Sequence, residues 1–270
     1  MKSSSSVNVL EQRVYLNAFP KAGTHLAELF IRMTAAPVEG AQWLGTFSGN
    51  AWSDDWVDLE RFQKTLEVWP AGGYIKGHCG YTPDIAEWLW NKNIVSIFVY
   101  RNLRDVVISQ AHHIMNDEQA DDGDRLKHPG KHLFRGMSFE DTVTACISGH
   151  GAYPGIVERW QLYRQWLDEK WVLPVRFEDM VNKPRKTGSR ILRYVTGQSA
   201  AFYGHRVSLP QQTHDELINA QMDLIEQHRP VTFRRGVVGG WRDEWSPLLE
   251  QVWHLSGACR ENQELGYESA

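Results

Sequence analysis

One stretch near the start of the chain limits its fold more than any other. The apolar run Val14-Tyr15-Leu16-Asn17-Ala18 leads into Phe19-Pro20-Lys21-Ala22-Gly23-Thr24-His25, and Leu26-Ala27-Glu28-Leu29-Phe30-Ile31 follows at once. This reads as a strand, a Lys/Gly/Thr turn and a helix. The N–H groups of a first helical turn have no intrahelical partner, and the helix dipole adds positive potential where they point. Such a turn can seat a phosphate, with Lys21 as a mobile cation and Thr24 as a hydroxyl donor. Lys21 precedes Gly23 here, the reverse of the usual nucleotide-binding loop. Taken alone, the stretch also fits a plain helix start.

Similar runs recur along the chain. Val14 to Phe19, Gly73 to Lys76, Ile94 to Tyr100 and Trp171 to Arg176 are short and apolar, as strands buried on both faces are. Helical patterns lie between and after them. Thr82-Pro83 predicts an N-cap and first-turn proline for a helix through Trp90. Ser138 and Asp141 form a capping-box pattern for a helix through Ile147. Gly155 to Glu169, Pro184 to Val195, Asp215 to Gln227 and Pro247 to Leu265 complete the helical set. The alternation predicts an α/β fold: a single domain over 11–270 with a central parallel sheet flanked by helices, after a loose tail over 1–10. Ligands of such sheets sit beyond the carboxyl ends of strands, where the turns fall.

A net charge of −4 and a pI near 6.3 argue against nucleic acid as a partner, so any anion site must be a local concentration of Lys and Arg. Cys79, Cys146 and Cys259 are widely spaced, which suits free thiols in a reducing compartment. The first residues are polar and no run approaches a membrane span, so the expected setting is cytoplasmic, without a membrane partner.

Two further stretches give the first its meaning. Ile94 to Tyr100 ends in Arg101-Asn102-Leu103-Arg104-Asp105 and continues through Val106-Val107-Ile108-Ser109. Near the C-terminus stands Phe233-Arg234-Arg235-Gly236-Val237-Val238-Gly239-Gly240-Trp241-Arg242. In this order, the three stretches resemble the motifs of the cytosolic-type sulfotransferase family, which uses 3′-phosphoadenosine-5′-phosphosulfate as donor. The resemblance runs from about Val14 to Trp245.

The resemblance implies a P-loop-like phosphosulfate-binding turn in which Ala22, Gly23, Thr24, His25 and Leu26 wrap the 5′-phosphate. It also implies that Lys21 meets the bridging oxygen of the leaving nucleotide. His25 stands where the family commonly has a second Thr, and Leu26 where it often has an adenine-stacking Trp, so the adenine contact needs another residue. Arg101 and Ser109 are implied at the 3′-phosphate, with Ser109 about one turn into the helix and able to hold the catalytic Lys until acceptor arrives. Arg234, Arg235 and Gly236 supply the remaining 3′-phosphate contacts. Phe177, where the family often has Tyr, keeps a ring for stacking. The Lys76-Gly77-His78 element resembles the family's K-x-H, which makes His78 the general base and Lys76 its catalytic companion. No metal is expected: sulfonate carries one charge less than phosphate, and neither His112-His113 nor His128 with His132 has a carboxylate or Cys spaced to complete a site.

Two rivals were weighed. An ATP-dependent phosphoryl-transfer enzyme would need a Gly-Lys-[Ser/Thr] turn and a magnesium-holding carboxylate after a strand, and neither is evident. A non-catalytic nucleotide sensor is opposed by the presence of Lys21 and His78. The acceptor is expected to be a small molecule that takes the sulfuryl group on a hydroxyl or an amine and is bound by irregular loops over 45–67 and 116–136. Trp52, Asp54, Asp55, Trp56 and Asp58, with the acidic stretch from Asn116 to Asp124, would suit a cationic acceptor, although simple solvation is the commoner reason for acidic loops. The family's short C-terminal dimerisation motif has no convincing match, which leaves the oligomeric state open.

Overall fold

Five parallel strands run in the order β2-β3-β1-β4-β5 in a computed structural model that describes residues 13–32, 34–37, 59–60, 63–64, 68–116, 131–203, 211–228 and 237–267. The strands are β1 (Val14–Ala18), β2 (Ala36–Pro37), β3 (Gly73–Gly77), β4 (Val95–Tyr100) and β5 (Val172–Arg176). β1 lies in the middle, pairing with β3 on one side and β4 on the other. All five of its residues are buried. The four anticipated strands are therefore present within a residue or two of their expected ends, and the two-residue edge strand β2 is an addition.

Two groups of helices flank the sheet. The first gathers around α1 (Thr24–Ile31), with α6 (Phe177–Asn182), α7 (Pro184–Tyr203) and α8 (Gln211–His228). The second gathers around α3 (Leu103–Asn116), with α4 (Phe139–Ser148), α5 (Ile156–Gln161), α9 (Pro247–Leu255) and α10 (Ala258–Glu264). α2 (Pro83–Asn91) packs on β4. The expected caps form: Thr82 accepts from the N–H of Ile85 at 3.3 Å, and Ser138 from that of Asp141 at 3.1 Å.

Four helices differ from their sequence patterns, α8 by starting at Gln211, ahead of the expected Asp215. The stretch from Gly155 to Glu169 divides into α5 and a 3₁₀ turn over Arg164–Leu167. Trp160, Tyr163 and Trp166 still enter one core across the break, so their periodicity survived it. The Pro247 to Leu265 stretch divides at Gly257, whose φ of +78° ends one helix and starts another. The helix begun at Pro184 runs on to Tyr203 instead of stopping at Val195. The tail over 1–10 lies outside the described residues.

From β1 the chain passes to β2 and β3 on one side, and then crosses to β4 and β5 on the other. The crevice beyond the carboxyl end of β1 is thus where connections diverge, the place such sheets reserve for ligands. Among the described residues, no helix is long and apolar enough to cross a membrane.

Candidate active site

Four of the anticipated elements emerge from the carboxyl ends of different strands. β1 gives the Lys21 turn, β3 gives His78, β4 gives Arg101 and β5 gives Phe177. With the order β3-β1-β4-β5, His78 lies on one side of the turn and Arg101 with Phe177 on the other.

The turn is tightly built. The N–H of Phe19 donates to Val99 at 2.9 Å and that of Ala22 to Phe19 at 3.0 Å. Ala22 is buried and its N–H is spent inside the turn. The N–H groups of Thr24, His25 and Leu26 precede the first intrahelical bond, from Ala27 to Gly23 at 3.0 Å. Lys21 takes the left-handed conformation, φ +67°, which costs a residue with a side chain roughly 1–3 kcal/mol and persists only where the surroundings impose it. Gly23 has φ +96°, and a Cβ there would lie 2.5 Å from the Phe177 ring. Only glycine meets both demands. The Leu26 side chain points into the core and Thr24 is buried, while His25 is half exposed, its Nδ1 3.7 Å from Glu28.

On the β3 side, the backbone around His78 is fixed by neutral hydrogen bonds. Asn17, inside β1, donates to the Cys79 carbonyl and accepts from the Cys79 N–H, both at 2.9 Å. The Tyr163 hydroxyl donates to the His78 carbonyl at 2.9 Å, and the Trp166 indole to the Cys79 carbonyl at 2.9 Å. The imidazole Nδ1 lies 2.8 Å from the carbonyl of Ala18. A carbonyl only accepts, so Nδ1 carries the proton and the lone pair sits on Nε2. Burial pushes the His78 pKa down to about 4. The Ala18 carbonyl opposes that shift, and the charges of Lys21, His25 and Arg159 add to it. At neutral pH the ring is therefore unprotonated and able to accept a proton. Cys79 beside it is a buried thiol whose pKa burial raises to about 12, an unreactive neighbour.

Two residues before His78, Lys76 donates to the buried Glu28 carboxylate at 2.6 Å, joining β3 to α1. Glu28 also accepts from Tyr74 at 2.6 Å and Arg32 at 3.2 Å. Burial alone would raise its pKa, yet the hydrogen bonds from His25, Lys76 and Tyr74 outweigh it and hold the carboxyl far below its usual range.

On the β4 side, Arg101 lies over the Phe177 ring, its guanidinium carbon 4.1 Å from the centre. Its Nη1 reaches the Lys21 carbonyl and its Nη2 the Val237 carbonyl, each at 3.4 Å. Phe177 is thus held between Arg101 and Gly23. Asp105 accepts from the N–H groups of Gly239 and Trp241 at 2.9 and 3.0 Å and lies 3.8 Å from Arg101. The segment following Arg234, Arg235 and Gly236 is thereby anchored beside Arg101, although those three residues lie outside the described ones. Arg104 reinforces the anchor. It is 1% exposed, donates to Glu250 at 2.9 Å, and its guanidinium lies 4.4, 5.0 and 5.3 Å from the ring centres of Trp241, Trp245 and Trp253. Ser109 is half buried on α3, which opens at Leu103. It therefore stands about 9 Å along the axis, near the end of the second turn and not the first.

Sequence reasoning assigned no role to Asn17, Glu28, Asp105, Arg159 or Tyr163. Two of them left a signal: Asp105 lies within the Arg101 stretch, and Asn17 is a polar residue inside an otherwise apolar strand. His112, one of the paired histidines, lies 2.5 Å from the Glu244 carboxylate. The aspartates that favoured a cationic acceptor, Asp54, Asp55 and Asp58, are outside the described residues.

Comparison with known proteins bears on this arrangement. Residues 11–262 match the model of the sulfotransferase domain. A search of curated proteins returned no match. Among solved structures, the chain is similar to a mouse sulfotransferase, SULT7A1, complexed with PAP: TM-score 0.62 and 16% identity over 95% of this chain and 87% of that one. It is also similar to retinol dehydratase in complex with androsterone and inactive cofactor PAP, with TM-score 0.54 and 14% identity over 93% of this chain and 80% of that one. The complex of retinol dehydratase with retinol and PAP gives TM-score 0.52 and 14% identity, covering 93% and 81%.

Proposed function

The chain belongs to the sulfotransferase family, and from that premise we propose that it moves the sulfuryl group of 3′-phosphoadenosine-5′-phosphosulfate to a hydroxyl of a small-molecule acceptor. One observation carries the reading. A neutral histidine and an arginine flank a single Lys/Gly/Thr turn, each delivered by a neighbouring parallel strand.

His78 Nε2 takes the hydroxyl proton as the acceptor oxygen bonds to sulfur and the bond from sulfur to the 5′-phosphate oxygen breaks. General-base assistance of this kind is worth roughly 10²–10⁴-fold in rate. Lys21 and the N–H groups of Gly23, Thr24, His25 and Leu26 receive the charge that gathers on the departing nucleotide. Arg101, Ser109 and the Arg234-Arg235-Gly236 segment bind the 3′-phosphate, where guanidinium groups supply planar forks of donors. Lys76 shares its charge between Glu28 and the transferring group. The residues suit such a donor because the turn concentrates N–H groups and cations in a protein of net charge −4. Cys79, Cys146 and Cys259, buried and unpaired, support a cytoplasmic setting.

The test supplies purified protein with sulfur-labelled donor and a panel of phenols and alcohols, beside γ-labelled ATP with magnesium. The reading expects label on an acceptor from the sulfur donor alone. Transfer from ATP, with none from the sulfur donor, would overturn it.

A further inference from the structure

Among the described residues two arginines are almost wholly buried, and they are satisfied differently. Arg104 has a carboxylate partner in Glu250. Arg159, 5% exposed on α5, has none among the described residues. Its Nη1 donates to the Tyr153 hydroxyl at 2.9 Å, and its guanidinium carbon lies 5.6 Å from the Phe19 ring centre and 5.5 Å from that of Tyr153. Burial drives the Tyr153 pKa far up, so that residue is a neutral phenol and brings no countercharge. A guanidinium this buried is ordinarily paired with an anion.

Its position points to which anion. Phe19 opens the Lys21 turn, and its ring touches Tyr163 at 5.1 Å. Tyr163 in turn donates to the His78 carbonyl. Arg159 is therefore one aromatic ring from the turn and from the residue that holds the His78 backbone, and its charge is felt at the His78 ring. With Nη1 given to Tyr153, the Nε–Nη2 edge remains, and that edge matches the two oxygens of a carboxylate.

We propose that Arg159 binds a carboxylate on the acceptor, so that the substrate is an alcohol or phenol that also carries a carboxylic acid. The inference rests on the sulfotransferase reading and deepens it. In the transfer, the hydroxyl proton goes to His78 and the hydroxyl oxygen gains sulfur. Adenosine 3′,5′-bisphosphate departs with the electron pair of the broken bond. The carboxylate and Arg159 keep their charges throughout. The sign is opposite to that suggested by the acidic loops.

A matched series of para-substituted phenols with propionate, propyl and aminoethyl tails tests it. The expected wild-type kcat/KM is at least about tenfold higher for the propionate than for the propyl compound, the gain of one charge-assisted contact. Arg159→Met should bring that ratio to about one, and Arg159→Lys should restore part of it. Affinity for adenosine 3′,5′-bisphosphate, measured by calorimetry, should be the same in all three proteins. Equal or better turnover of the propyl or aminoethyl phenol by wild-type enzyme overturns the inference, whether or not the variants fold. So does an unchanged ratio in a folded Arg159→Met. Wild-type protein that neither binds the bisphosphate nor sulfates any phenol would fail the sulfotransferase reading instead, so the two failures are distinguishable.

Discussion

Beyond β3 the backbone that carries His78 is held by Asn17, Tyr163 and Trp166, all neutral groups bonding to backbone atoms. Beyond β4 the hold depends on charge: Arg101 against Phe177 and two carbonyls, Asp105 against two N–H groups, and Arg104 against Glu250 and three indoles. The difference follows from what each side must do. In the proposed reading a base has to stay unprotonated, and burial, helped by the nearby charges of Lys21, His25 and Arg159, lowers the affinity of His78 for a proton. An anion site needs positive charge kept in place when no ligand neutralises it, and carboxylates beside the cations do that. The Lys21 turn, strained at one residue and closed over by Phe177 at another, is shared by both sides.

The largest effect expected from this contrast is on turnover. His78→Ala should lower kcat by roughly 10²–10⁴-fold, measured with labelled donor on a productive acceptor, since it removes the base alone. Loss of less than tenfold would remove His78 from that role. On the other side, Arg101→Ala should weaken adenosine 3′,5′-bisphosphate by about tenfold or more, the worth of one charge-assisted hydrogen bond. Asn17→Ala tests the neutral scaffold. It leaves the buried Cys79 N–H without its partner, at a cost of about 1–3 kcal/mol in unfolding free energy by denaturant titration, and the mutant should lose kcat with little change in nucleotide affinity. A stable variant with full activity would mean that the clamp is dispensable.

The smallest effect is a displaced pH limb. A base must be deprotonated, so activity falls as pH drops through its pKa. With His78 held down to about 4, kcat/KM should stay level through pH 6.5 and decline only near 4. A limb at the usual histidine value would show that the ring is better solvated than its surroundings suggest. The same shift bears on stability: between about 4 and 6.5 the unfolded chain binds a proton that the folded one refuses, so His78 costs stability as pH falls through that window.

What could be read from the chain followed from how local the cause was. The strands were legible because burial on both faces leaves uninterrupted apolar runs, and the Lys21 turn because its residues are consecutive. Gly257 was not legible as a break, since the apolar spacing of Pro247 to Leu265 runs across it undisturbed. The meaning of Asn17 depends on Cys79, 62 positions away, and that of Asp105 on Gly239, 134 positions away. Arg159 looks like the polar face of a helix until Tyr153 and Phe19 are folded over it. Lys21, His78, Arg101 and Phe177 could be expected at one end of the sheet, because each follows a strand, but the bond that the Ala22 N–H makes inside its own turn had no sequence signal.

The central claim is that one turn divides a catalytic side from a nucleotide-binding side, and a crossed measurement addresses it. Kd values for adenosine 3′,5′-bisphosphate and for adenosine 5′-phosphate are taken by calorimetry on wild type, His78→Ala and Arg101→Ala, with kcat measured on the same samples. His78→Ala should bind both nucleotides as wild type does and lose turnover. Arg101→Ala should lose affinity for the bisphosphate specifically, with little change for the nucleotide lacking the 3′-phosphate. If His78→Ala loses nucleotide affinity as Arg101→Ala does, or if Arg101→Ala weakens both nucleotides equally, the division of labour across the Lys21 turn is contradicted.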